Sequence, residues 1–76
     1  MHINKVILLM NGAKYRYNIS DNDLDILRRA LLDPSQVHKC VSVLHHSGSK
    51  GAYIKDKIVD INVDLLNAIE MRYIKQ

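Results

Sequence analysis

Residues 3–19, INKVILLMNGAKYRYNI, decide the fold because they predict a β-hairpin near the start of the chain. Two strand-like runs, 3–10 and 13–19, flank the dipeptide Asn11-Gly12. Both central residues of a type I′ turn need positive φ, which asparagine and glycine tolerate best. The sequence therefore predicts two antiparallel strands joined by a two-residue turn.

A two-residue turn also fixes which side chains share a face, because residues directly opposite each other point the same way. One face pairs Val6 with Tyr17, Leu8 with Tyr15 and Met10 with Ala13. The other pairs Lys5 with Asn18, Ile7 with Arg16 and Leu9 with Lys14. The first face is apolar without interruption, so we predict that it lies on the core and that both tyrosines point inward. We call Lys5, Ile7, Leu9, Lys14 and Arg16, on the second face, the outer hairpin face.

A helix is predicted at 21–33. Ser20, followed three residues later by Asp23, resembles a capping box, and acidic residues in the first turn favour the positive end of the helix dipole. Apolar residues recur at the spacing of one helix face at Leu24, Leu27 and Leu31, with Ile26, Ala30 and Leu32 beside them. The helix is expected to end at Asp33-Pro34, since the residue before a proline is pushed out of the helical region.

The second half of the chain predicts further strands. The first covers about 37–45 and is followed by a loop at 47–51, which is rich in serine and glycine. Another strand begins at Ala52 or Tyr53, is interrupted at Asp56-Lys57 and resumes at Ile58. Residues 64–75 combine helix-favouring composition with the alternation of a strand. We favour a short turn at 64–66 followed by a strand.

These elements predict an α+β fold in which a small single-layer sheet, opened by the hairpin, packs on one helix in a single domain, 1–76. The order of elements resembles that of the β-grasp fold of ubiquitin-like proteins over the whole chain, although no motif carries the resemblance. The chain ends Tyr73-Ile74-Lys75-Gln76 and lacks the Gly-Gly tail of that family, so conjugation and sulfur delivery are not implied. If 67–74 form a helix instead, the alternative is an antiparallel sheet with two helices.

Composition limits the compartment and the function class. The 76 residues are 47% apolar and 25% charged, which is ordinary for a globular chain and argues against intrinsic disorder. Cys40 is the single cysteine, and nothing near the N-terminus resembles a signal peptide, so a reducing, cytoplasmic compartment is predicted. The net charge of +3 lies mainly in the strand regions, and it is weaker than dedicated nucleic-acid binders usually show.

Candidate chemistry is sparse. The cluster His38, Cys40, His45 and His46 has alternate positions that could chelate zinc, but zinc sites normally take ligands from a second element. Cys40 lies in a valine-rich strand, where a buried, inert thiol is expected. The crowded carboxylates at the helix start are explained by capping, and the loop at 47–51 lacks the spacing of a phosphate-binding Walker motif. We therefore expect no enzymatic activity, metal, cofactor or small-molecule substrate.

The predicted binding residues are those of the outer hairpin face together with one loop lysine: Lys5, Ile7, Leu9, Lys14, Arg16 and Lys50. Contiguous exposed apolar area marks contact sites, here with another protein or with a second copy across a two-fold axis. Alternatively, the C-terminal segment covers this face as a second layer. The leading hypothesis is a small non-enzymatic binding or regulatory module that acts through protein contacts and has no membrane partner. It is similar in kind to small accessory proteins of phages and mobile elements.

A different hypothesis is nucleic-acid binding by a basic sheet and loop surface. Its residues would be Lys14, Arg16, Lys50, Lys55 and Lys57. Such a surface needs basic side chains interleaved with exposed aromatic rings. The predicted alternation weakens this hypothesis, because it sends Tyr15 and Tyr17 inward and Lys14 and Arg16 outward.

Overall fold

The computed structural model describes residues 2–33, 40–49 and 51–71, which form an α+β fold, as predicted. The elements are β1 Ile3–Met10, β2 Ala13–Ser20, α1 Asp21–Leu32, β3 Cys40–Ser47, β4 Ile54–Asn62, a 3₁₀ turn Val63–Leu65 and β5 Leu66–Met71. This is the predicted order of elements. The part of the predicted third strand before Cys40 and the part of the predicted last strand after Met71 lie outside the described residues.

The opening hairpin is confirmed in both its turn and its register. Asn11 and Gly12 have φ values of 48° and 82°, as a type I′ turn requires. The observed partners of β1 in β2 are the predicted ones at every position, from Lys5 opposite Asn18 to Met10 opposite Ala13. Local turn chemistry is therefore sufficient to set which face of the hairpin is buried.

The helix begins as predicted, with Ser20 as its N-cap. The Ser20 hydroxyl oxygen accepts a hydrogen bond from the Asp23 backbone N–H at 3.3 Å, which satisfies one of the free donors in the first turn. The buried side of the helix consists of Leu24, Leu27 and Ala30. Ile26 and Leu32, predicted to flank the apolar stripe, are exposed.

The core lies between the helix and the inward faces of the strands. Val6, Leu8 and Ile19 come from the opening hairpin, and Val43 and Ile61 come from β3 and β4. The other members of the buried cluster are Leu24, Leu27, Ala30, Val63 and Leu66. Every described strand therefore contributes at least one side chain to a single apolar cluster.

The strands are divided between two antiparallel sheets instead of forming the expected single sheet. One sheet has the strand order β2-β1-β5, and the other consists of β3 and β4. β1 and β5, which lie far apart in the sequence, are antiparallel neighbours. The elements follow one another along the sequence as predicted, but the strands do not pair into one continuous sheet.

The division is explained by the junction of β2 and β3. There, side chains form hydrogen bonds with backbone N–H and carbonyl groups that would otherwise be free to pair the two strands. The backbone N–H of Asn18 donates to the imidazole Nδ1 of His45 at 3.0 Å, and the Asn18 side-chain amide donates to the His46 carbonyl at 2.9 Å. The Leu44 N–H donates to the Asp23 carboxylate at 2.9 Å. The two sheets are thus joined by side-chain hydrogen bonds.

The predicted interruption of the fourth strand appears as a β-bulge. β4 is continuous, but the register shifts so that His45 faces Lys57 while His46 faces Lys55. Asp56 is therefore the additional residue. A bulge leaves one residue out of the ladder and increases the local twist, which explains why the sequence pattern breaks there while the strand continues.

The ambiguous C-terminal segment is a turn followed by a strand, as we favoured. After the 3₁₀ turn, β5 pairs with β1, placing Ile69 opposite Leu8 and Glu70 opposite Ile7. The Asn11 N–H also donates to the Leu65 carbonyl at 3.1 Å, which ties the hairpin turn to the start of β5. The sheet therefore has β1 as its central strand.

Candidate interaction surface

The outer hairpin face is built of cross-strand rows that the addition of β5 completes. In one row, Arg16, Ile7 and Glu70 lie side by side across β2, β1 and β5. The row beside it consists of Lys14, Leu9 and Ala68. Residues directly opposite each other in a ladder share a face, so Ala68 and Glu70 extend the outer hairpin face on the β5 side.

The C-terminal strand does not form a second layer over this face, which was one of the two alternatives. β5 lies beside β1 in the same sheet. Lys14 and Arg16 are exposed, while Lys5, Ile7 and Leu9 each keep part of their surface accessible to water. Two aliphatic side chains on the central strand are therefore bordered by cations and remain accessible.

Sequence reasoning missed Ala68 and Glu70 as neighbours of Ile7 and Leu9. The alternation of 67–71 places these two residues on one face of a strand, but alternation says nothing about which strand is the neighbour. The available signal in the sequence was that Ile69 and Met71 are apolar and alternate with Ala68 and Glu70. In the structure Ile69 and Met71 pack against the core on the same side as Leu8 and Val6, which turns Ala68 and Glu70 to the outer side. Glu70 makes the face electrostatically mixed, with its carboxylate on the edge opposite the two β2 cations.

The prediction that both hairpin tyrosines point into the core is wrong for Tyr15. Its side chain lies on the predicted face, opposite Leu8, but it is 44% exposed. Tyr15 lies near the turn, in the part of β2 from Ala13 to Arg16 where every residue is exposed.

Tyr17 is half-buried and contacts the junction of the two sheets. Its ring meets the His45 ring edge to face, with ring centroids 5.6 Å apart. The His45 Nε2 lies 3.9 Å from a carboxylate oxygen of the bulge residue Asp56. Tyr17 is thus part of the packing between the sheets, while Lys14 and Arg16 lie on the opposite face of β2.

The remaining predicted basic residues do not join the outer hairpin face. Lys50 lies outside the described residues. Lys55 and Lys57 are exposed on β4, which belongs to the other sheet. The structure therefore brings together five of the six predicted binding residues, and the two β4 lysines lie apart from them, in the other sheet.

The described members of the histidine and cysteine cluster do not form a site. Cys40 is exposed, and the prediction of a buried thiol is wrong because Cys40 shares its strand face with Ser42, whereas Val41 and Val43 turn toward the core. His46 is buried, and neither of its ring nitrogens has a hydrogen-bond partner. His38 lies outside the described residues. Within 2–33, 40–49 and 51–71, no three histidine, cysteine or acidic side chains are grouped closely enough to hold a metal ion.

Comparison with known proteins adds no assignment to this surface. No family model, no curated protein and no solved structure matches the chain. Among the described residues, no helix has both the length and the apolar content needed to cross a bilayer.

Proposed function

We propose that this protein is a small non-enzymatic binding module of the cytoplasm that acts through protein–protein contacts made by the outer hairpin face. The observation that carries the proposal is the position of β5, which lies beside β1 and leaves Ile7 and Leu9 partly accessible among cations. In this proposal the protein is an accessory module of the kind that phages and mobile elements use to regulate other proteins.

The arrangement of the face supports a protein partner. Interfaces between proteins have an apolar centre and a polar rim, and arginine is enriched in them. Here Ile7 and Leu9 occupy the central strand, while Arg16, Lys14 and Glu70 lie on the two flanking strands. The apolar side chains therefore sit where the centre of a contact would be.

Site-specific photo-crosslinking tests the proposal. A photo-crosslinking phenylalanine derivative at position 9 is expected to give covalent protein adducts in cells, and the adducts are expected to disappear when Ile7→Lys is added, because a cation would then occupy the apolar centre. The matched control has the same derivative at position 22, an exposed residue of α1. Equal adducts at both positions, or none at position 9, would reject the outer hairpin face as the contact surface.

Nucleic-acid binding is the second candidate, supported by the exposure of Tyr15 and of the cations Lys14, Arg16, Lys55 and Lys57. The two pairs of cations lie on different sheets, and Tyr15 faces away from the first pair, so no single surface combines all of them. A salt titration with generic DNA and RNA separates the candidates, because phosphate-driven binding weakens steeply with salt. We expect no measurable binding even at low salt, and tight binding with a steep salt dependence would favour the nucleic-acid candidate.

A further inference from the structure

We propose that a second copy of this chain occupies the outer hairpin face, packed face to face about a two-fold axis that runs nearly along β1. This inference rests on the proposed function and names its partner. It follows from the order of charges across one row of the sheet, in which Arg16 lies on one side of Ile7 and Glu70 lies on the other.

A two-fold axis along the central strand exchanges the two flanking strands of the facing sheet. β2 of one copy then lies over β5 of the other. Arg16 of each copy faces Glu70 of the other, and Ile7 faces Ile7 at the axis. One row thus supplies two opposite-charge pairs around an apolar contact, as an isologous interface requires.

The neighbouring row fits the same axis. Lys14 of one copy lies over Ala68 of the other, where the small side chain leaves room for the lysine stem, and Leu9 faces Leu9. Stacked sheets lie about 10 Å apart, and their strands cross at about 30°. Lys5, on β1, also faces its own copy across the axis. It lies toward the end of the face, where both long side chains can turn outward and keep their ammonium groups in water.

A two-fold axis across the strands gives the opposite result. It would place β2 over β2, so that the cations Lys14 and Arg16 of the two copies would face each other without a carboxylate between them. Like charges brought together at an interface oppose association. The charge order of the face therefore selects the axis along β1.

The dimer is expected to be weak. Three strands about 4.8 Å apart make a narrow face, smaller than the roughly 800 Å² per partner of a standard interface. Dissociation at micromolar concentrations is therefore expected, and added salt should promote it because the ion pairs lie at the rim. Sedimentation at a series of protein concentrations can measure a dissociation constant in this range.

A charge-swap experiment tests the pairing. The dissociation constant is measured by analytical ultracentrifugation at low salt for the wild type, Arg16→Glu, Glu70→Arg and the double variant Arg16→Glu/Glu70→Arg. Each single change is expected to weaken the dimer about tenfold or more, because it places two like-charged pairs in the interface. The double variant restores opposite charges and should return to within about threefold of the wild type. The control is Arg28→Glu, which makes the same charge change on exposed α1 and should leave the dimer unchanged.

The results separate the dimer from the proposed function. A wild-type protein that stays monomeric at about millimolar concentration, where even weak complexes form, or a double variant no better than the single ones, would overturn the dimer. If position 9 still forms position-specific adducts with other proteins, the binding function stands with a different partner. If position 9 forms no adduct with any protein, the proposed function fails as well. Circular dichroism of each variant confirms that a lost dimer does not reflect a lost fold.

Discussion

Replacing Leu8 with alanine is expected to lower the free energy of unfolding by about 3 kcal/mol, because truncation of a buried leucine removes transfer energy and leaves a cavity. The Leu8 side chain is 0% exposed and lies on the central strand of its sheet. It is paired with Tyr15 on one side and Ile69 on the other. Two hydrogen-bonded neighbours restrict any collapse of the backbone into the cavity, so the full cost is expected.

Urea unfolding followed by far-ultraviolet circular dichroism measures this effect. The matched control is Leu32→Ala, the same substitution at a leucine that is 80% exposed at the end of α1. Substitutions at such surface positions usually change stability by less than about 0.5 kcal/mol. Equal effects at the two leucines would mean that the core is not centred on β1.

Replacing Gly48 with alanine is expected to cost about 2–3 kcal/mol, from strain in the backbone and from a clash. Gly48 has a φ of 121°, in a region that side-chain-bearing residues rarely adopt. A Cβ atom there would also overlap the main-chain carbonyl oxygen of Ala52. The Ala52 N–H donates to the Ser49 carbonyl at 2.8 Å, so a shift of Ala52 away from the new side chain would strain this hydrogen bond.

Gly51→Ala provides the comparison within the same connection between β3 and β4. Gly51 also has a positive φ, 81°, but an added Cβ would meet nothing within 4 Å. Only the conformational cost of about 1 kcal/mol is then expected. The difference in urea midpoint between the two variants isolates the clash with Ala52, and identical midpoints would show that the connection rearranges to accept a side chain at position 48.

The elements that could be predicted from the sequence are those determined by neighbouring residues. Asn11-Gly12 defines a turn whose geometry sets the register of the first hairpin, and Ser20 begins the helix by bonding the N–H of Asp23. The turn and strand at the C-terminal end could also be favoured, because alternation outweighs propensity when one face of a strand is buried. For the hairpin turn and the helix start, the decisive interaction spans only a few residues.

The pairing between distant elements could not be predicted. The single sheet was expected because nothing in the sequence shows that the Asn18 N–H bonds to the His45 ring and the Leu44 N–H to the Asp23 carboxylate. The first bond joins β2 to β3 without a backbone ladder, and the second ties β3 to α1. The exposure of Tyr15 could not be predicted for a related reason, since alternation shows which face a residue lies on but not how far the core extends along that face.

The candidate site was predicted in part for the same reason. The hairpin register alone identifies Ile7, Leu9, Lys14 and Arg16 as neighbours on one face. The charge order that suggests a second copy needs Glu70, and Glu70 reaches the face only through the pairing of β5 with β1. The residues of the hairpin alone therefore show only the positive charges of the face, and its one carboxylate comes from the far end of the described chain.

Synthesis on the ribosome imposes an order on the assembly of the sheet. The β1–β2 hairpin can close within microseconds of its release, but the other edge of β1 waits for β5, since Val6 pairs with Met71. At a translation rate of about 5–20 residues per second, several seconds pass between the two events. Throughout that interval a nascent chain presents an unpaired strand edge and an apolar surface, both of which invite aggregation. Lys5, Lys14 and Arg16 give the early hairpin a uniform positive charge, and repulsion between nascent chains follows from it.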